Sequence, residues 1–283
     1  MREDGDKTLG SREPTGPPPP PVVQRLRIRY AKRGRLRFTS HRDIQRAFER
    51  ALRRAGVPMA FSAGFSPHPR ISWAGAAPTG TASEAEYVEI AVSARVDPER
   101  LRADLDAALP PDLDVLEVVE ASGSGSLMDR LEASVWRVEL PGVSPEVART
   151  AVDIFLAAES VQVERLTKNG MRTFDARSAV LELDCPDNGS NLHSSPCAIL
   201  QVVVRHSTPA VRPDDVLTGL ANVAGLELPP PAGSEQSGAT RAGLGSARVT
   251  RLVQGPLGSP EPAGDGARPM VCDPLTPDRN APV

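Results

Sequence analysis

Twice along this chain the hydrophobic period switches between two and 3.6 in the order strand, helix, strand, strand, helix, strand, and that order constrains the fold more than any other feature. The first pass opens at "RLRIRYA", where Leu26, Ile28 and Tyr30 alternate with Arg25, Arg27 and Arg29, as a strand with one buried and one basic face would. "SHRDIQRAFERALRRAG" then places Ile44, Ala47, Phe48, Ala51, Leu52 and Ala55 at helical spacing, with Ser40 and Asp43 as an S-x-x-D start and Gly56 as a stop. "RISWAG" and the alternating "EYVEIAVS" follow as strands. "DPERLRADLDAAL" reads as a helix capped by Asp97 with Pro98 in its first position, and "LDVLEVVEA" closes the unit.

After "SGSGS" the order returns: "SVWRVEL", the helix "SPEVARTAVDIFLAA", "VQVERLT", a turn at Asn169-Gly170, "MRTFDARSAVLELDC", "AILQVVVRH", the helix "RPDDVLTGLANVAG" and "RVTRLVQ". An extra strand and the insert "PDNGSNLHSSP" make this copy less regular. The spacing predicts an α+β chain of two tandem ferredoxin-like βαββαβ units, over residues 23–122 and 123–254. Residues 1–22, ending in "GPPPPPV", and residues 255–283 have a composition that builds no core, and they are predicted to be disordered tails.

Charge is concentrated in one place. Between Gln24 and Ala55 twelve Arg or Lys face only Asp43 and Glu49, so this stretch carries +10 within a chain of net charge -3. Such density costs self-repulsion unless an anion relieves it, which points to a polyanion. Arg42, Arg46 and Arg50 fall at i, i+4 and i+8, with Arg53 and Arg54 beyond them, as one ridge opposite the Ile44/Phe48/Leu52 stripe. Lys32, Arg33, Arg35 and Arg37 add to it from the adjacent strand end, where the local sequence supplies little acid. A merely solvated face is the plain alternative.

Other candidates follow from local chemistry. Ser40 caps the first helix, and the same geometry favours a phosphate near Ser40 and His41. In "SAGFSPHPRIS" two prolines stiffen the backbone around His68. A rigid loop suits either a structural turn or preorganised recognition, with Phe65 stacking on a base, Arg70 holding a phosphate and His68 donating to either. Glu84, Glu86 and Glu89 read as counter-charges to the arginines. In the second unit Lys168, Arg172, Asp175 and Arg177 surround a hairpin and are possible added phosphate contacts. Cys185, Cys197 and Cys272 show no C-x-x-C pair, so no metal site is expected. No catalytic fingerprint or cofactor motif is found. With no apolar run of membrane-spanning length and no secretion signal, a soluble cytoplasmic protein is expected.

From Leu26 to Val92 the residues carry a dense pattern: K-x-G at Lys32, R-F-x-S-H-x-D through His41, S-x-G-F-x-P-H-P through His68, and G-x-x-S-x-x-E-Y through Glu86. This pattern resembles the radical-SAM-linked family of unknown function, in its standalone form, and "MRTFDARSAVLEL" looks like that family's weaker later motif. The chain lacks the C-x-x-x-C-x-x-C cluster motif, so the resemblance implies an accessory or substrate-handling unit beside a separate radical-SAM enzyme. Together with the basic ridge this leads to a non-catalytic RNA-binding or substrate-presenting module for structured or transfer RNA. The alternative is a metal-independent endoribonuclease using His41 and His68 as acid and base.

Overall fold

The computed structural model describes residues 19–123, 125–167, 170–186, 196–227, 246–263 and 266–281. The first half contains β1 (Gln24–Lys32), α1 (His41–Arg54), β2 (Ile71–Ala74), β3 (Ala82–Val92), α2 (Pro98–Ala108) and β4 (Val115–Glu120). Its strands pair antiparallel in the order β4-β1-β3-β2. Leu26, Ile28, Val88 and Ile90 from the sheet pack under Ile44, Phe48, Leu52, Leu101 and Leu105 from the two helices. The α1 start is as the residues dictate: Ser40 accepts from the Asp43 backbone N–H at 3.2 Å and donates its hydroxyl to the Asp43 carboxylate at 2.7 Å. Asp97 caps α2 in the same way, accepting from the Arg100 N–H at 2.8 Å.

The second half holds β5 (Ala133–Pro141), α3 (Pro145–Ala157), β6 (Gln162–Thr167), β7 (Gly170–Asp175), β8 (Val180–Asp184), β9 (Cys197–Arg205), α4 (Pro213–Ala224) and β10 (Arg248–Gly255). Its sheet runs β10-β5-β9-β8, which is the first half's order repeated, while β6 and β7 form a separate two-stranded sheet. The segment "MRTFDARSAVLELDC" therefore divides. Asp175 accepts from the backbone N–H groups of Val161, Arg177 and Ser178, and that turn hands the chain from β7 to β8.

Both halves belong to one sheet. At its start β3 pairs parallel with β10, Ala82 opposite Thr250 and Ser83 opposite Arg251, while its far end pairs with β2. The fold is thus α+β with a mostly antiparallel sheet.

Of the expected tails, residues 1–18 lie outside those described. The other expectation fails over its described part, because 255–281 includes β11 (Glu261–Ala263), β12 (Gly266–Arg268) and α5 (Thr276–Arg279). Leu275 is fully buried with Tyr87, Ala85, Leu127 and Leu131 on the sheet face opposite the helices. Proline- and glycine-rich composition keeps the regular elements here to three or four residues each. It does not prevent a short strap from docking through one leucine and a few charges.

Candidate nucleic-acid interface

The arginines of β1 point to the face that the strap covers, and acids brought by the fold meet them there. Arg25 and Arg27 both reach Glu89, at 3.0 and 2.9 Å. Arg27 is 1% exposed and also donates to both oxygens of Asp278 at 2.9 Å. Asp278 in turn accepts from Arg130 at 2.7 Å and from the Ser122 hydroxyl at 2.8 Å. Burial would raise the pKa of Asp278, but these hydrogen bonds hold it below the usual carboxylate range. Arg33 is paired with Glu84 and, at 2.5 Å, with Asp114. Glu84 and Glu89 are the counter-charges their positions suggested. The reading of a strand with little acid to offset it is corrected, because the acids come from β3, from the approach to β4 and from the strap.

Lys32 is not at the surface either. It is 2% exposed, and its Nζ donates to the carbonyls of Ala77 and Pro78, each at 3.2 Å. Burial lowers its pKa, with Glu86 opposing that effect. Glu86, also buried, pairs with Arg251 and accepts from the Ala77 N–H at 3.1 Å. Burial alone would raise the Glu86 pKa; Arg251, Ser83, Lys32 and the Ala77 amide bring it below its ordinary value. Arg251 also donates to Ser83 at 3.2 Å and to Gln254 at 3.1 Å. Lys32 thus helps to hold the loop after β2 and is withdrawn as a surface contact. Gly75 opens that loop at φ +57°, and a Cβ there would meet the Gln254 side chain at 2.5 Å.

What remains at the surface is the ridge. Arg42, Arg46, Arg50 and Arg53 are exposed on α1, and Arg35 is exposed just before it. Among the described residues only Arg46 has a carboxylate partner, Asp43 of its own turn, at 3.4 Å. Arg37 lies over the ring of Phe38, which is 60% exposed, at 4.7 Å, and the Gly80 amide pins the Arg37 carbonyl at 2.7 Å. At the helix start, the Asp43 carboxylate already occupies the positive end beside Ser40. His41 packs edge-on against Trp73 at 5.3 Å, and its Nε2 lies 3.1 Å from Gln45 Nε2. Burial lowers its pKa. Gln45 Nε2 is an amide donor, so the His41 Nε2 accepts.

The SPHP loop is tied at its base and open at its tip. The Ser62 amide donates to the His68 carbonyl at 2.8 Å, and the His68 amide returns to the Ser62 hydroxyl at 3.0 Å. Phe65 is 71% exposed, and His68 and Arg70 are exposed beside it. His41 and His68 share no neighbour among these contacts.

In the second half Arg172 is exposed on β7, whereas Asp175 and Arg177 are structural. Arg177 donates to the Val180 carbonyl at 3.1 Å and to that of Leu156 at 3.4 Å. Lys168 lies outside the described residues. Sequence reasoning missed Arg251, Gln254, Arg130 and Asp278. The available signal was "RVTRLVQ", a strand with polar residues at positions that a central sheet buries.

Among the described residues no group of His, Cys, Asp or Glu could hold a metal ion, and no helix is long and apolar enough to cross a membrane. The chain belongs to a family described as uncharacterised proteins conserved in bacteria (DUF2344), which it matches over residues 25–213. That span takes in Lys32, the α1 ridge, the SPHP loop and Glu86, and ends before Arg251 and Asp278. No curated protein matches the chain.

Proposed function

We propose that this protein is a cytoplasmic, non-catalytic accessory module that binds structured RNA, transfer RNA among the candidates, and presents it to a partner enzyme. The observation that supports this reading is the difference between the two sets of arginines. Those of β1 are consumed by internal carboxylates, whereas Arg35, Arg42, Arg50 and Arg53 face solvent with no carboxylate partner among the described residues. Arginine is suited to phosphate through its planar fork and to bases through stacking. Phe38 under Arg37, and Phe65 at the tip of the SPHP loop, supply exposed aromatic surfaces of the kind that unpaired bases stack on. A partner of the radical-SAM class is the further part of the proposal, and it rests on the sequence resemblance.

The test is a titration of transfer RNA at several salt concentrations. Affinity falling linearly on a log–log plot, with a slope of about 0.7 to 0.9 per phosphate contact, is the expected result. Absence of binding to bulk cellular RNA at low salt overturns the reading. The radical-SAM partner is checked by affinity purification from native cells, with the iron–sulfur absorbance of the co-purified fraction as readout. An endoribonuclease would need His41 and His68 at one phosphate, and their separate surroundings favour the non-catalytic reading. Intact transfer RNA after incubation with chelator is accordingly expected.

A further inference from the structure

Where the two halves meet, on the helix-bearing side of the sheet, a crevice of about 560 Å³ opens between the loop at Gly75–Thr79 and the segment before α4. That volume lies in the range of about 300–1,000 Å³ that small-molecule sites occupy. Its floor is Arg251, Gln254 and Trp136, one wall is Val204 and Val211, and Arg212 stands exposed at its mouth.

The floor and its surroundings carry an imbalance of charge, with Lys32 near Arg251 although not itself in the lining. Lys32 and Arg251 are both buried, and Glu86 is the single carboxylate paired with either among the described residues. A buried cation in excess is costly unless an anion or hydrogen bonds compensate it. A guanidinium has five N–H donors. Arg251 directs three of them to Ser83, Gln254 and Glu86, which leaves two, and the residue lines the crevice. His206 Nδ1 donates to the Leu131 carbonyl at 2.7 Å and its Nε2 lies 2.6 Å from the Ser134 hydroxyl, while burial lowers its pKa, which favours the neutral ring. Apart from Thr79, the remaining lining is apolar.

We propose that this crevice binds a small molecule bearing a phosphate or carboxylate group on a compact, largely apolar body. The oxyanion lies on Arg251 and Arg212, and the body lies against Trp136, Val204 and Val211. The site is separate from the α1 ridge and does not depend on the RNA reading. A phosphate can reach it on a free metabolite or at the terminus of an RNA chain, since both present the same group.

The test uses the full chain. Inorganic phosphate, adenosine monophosphate and benzoate are titrated by calorimetry and by thermal shift, alongside an RNA oligonucleotide with and without a 5′-phosphate. At least one of these probes should bind. Arg212→Ala, at an exposed position, should weaken it about tenfold, as loss of one charge-assisted contact does. Ala76→Phe, which fills the crevice from its loop, should abolish binding, while Arg42→Ala/Arg50→Ala should leave it unchanged. Preference for the 5′-phosphorylated oligonucleotide over adenosine monophosphate would identify an RNA terminus as the source; the reverse would identify a free metabolite. If no probe binds at millimolar concentration, or if Arg212→Ala and Ala76→Phe bind as the unmodified protein does, the proposal is overturned.

Discussion

Strand β1 and helix α1 are consecutive in sequence and similarly rich in arginine, yet their charges have opposite fates. A central strand lies beside other strands and beneath a covering segment, so Arg25, Arg27 and Arg29 find Glu89, Asp278 and Asp273 there. The outer face of a surface helix meets only water and its own turns, and Arg42, Arg50 and Arg53 are exposed. Charge density counted along a sequence is therefore not charge density on a surface. The element type decides which charges the fold keeps for itself.

That contrast breaks first if Asp278→Ala proves harmless. Removing it leaves Arg27 buried and short of a partner, which should cost about 3 kcal/mol, the low end for a buried pair because Arg130 keeps the network close to solvent. Denaturant unfolding of the full chain measures the loss. The helix gives the mirror image: Arg42→Ala/Arg46→Ala/Arg50→Ala should change stability by no more than about 0.5 kcal/mol. If all three contact phosphates, RNA affinity at about 0.1 M salt should fall roughly a hundredfold, with the salt slope reduced by about 2. Equal sensitivity of folding and binding in both sets would erase the distinction.

Smaller effects sharpen it. Pro67→Ala/Pro69→Ala should lower RNA affinity several-fold and leave the melting temperature nearly unchanged, since the base of the loop is held by Ser62. A melting temperature that falls while affinity stays constant would make SPHP a structural turn only. The smallest change concerns pH. Burial lowers the pKa of His206, with Arg251 acting in the same direction and the Leu131 carbonyl opposing. The folded state then binds fewer protons than the unfolded one, so this contribution to stability is complete above about pH 6.5 and is lost as pH falls toward the folded-state pKa. His206→Gln should flatten the decline in melting temperature between about pH 7 and about pH 5; an unchanged decline would assign it to other groups.

The repeated strand and helix order was legible because each element has one apolar face, and Ser40 and Asp97 announced their helices. Glu84 and Glu89 were legible as counter-charges because alternation alone puts them beside β1. Lys32 shows how a signal is overridden. Period-two alternation aligns it with Leu26, Ile28 and Tyr30 on the buried face, but its charge groups it with the arginines. The β3–β10 pairing and the Arg27–Asp278 contact had no local signature, since each joins residues more than 150 positions apart. The crevice depends on both halves, so neither half's sequence could reveal it.

The strap over the β1 arginines also has a consequence in time. Asp278 leaves the ribosome 251 residues after Arg27, an interval of about 10 to 50 s at ordinary rates of synthesis. Throughout it Arg27 has Glu89 but lacks its second carboxylate, and Tyr87 lacks the cover of Leu275. A nascent chain halted before residue 275 should accordingly be more readily cleaved by protease around β1 and β3 than one released at full length.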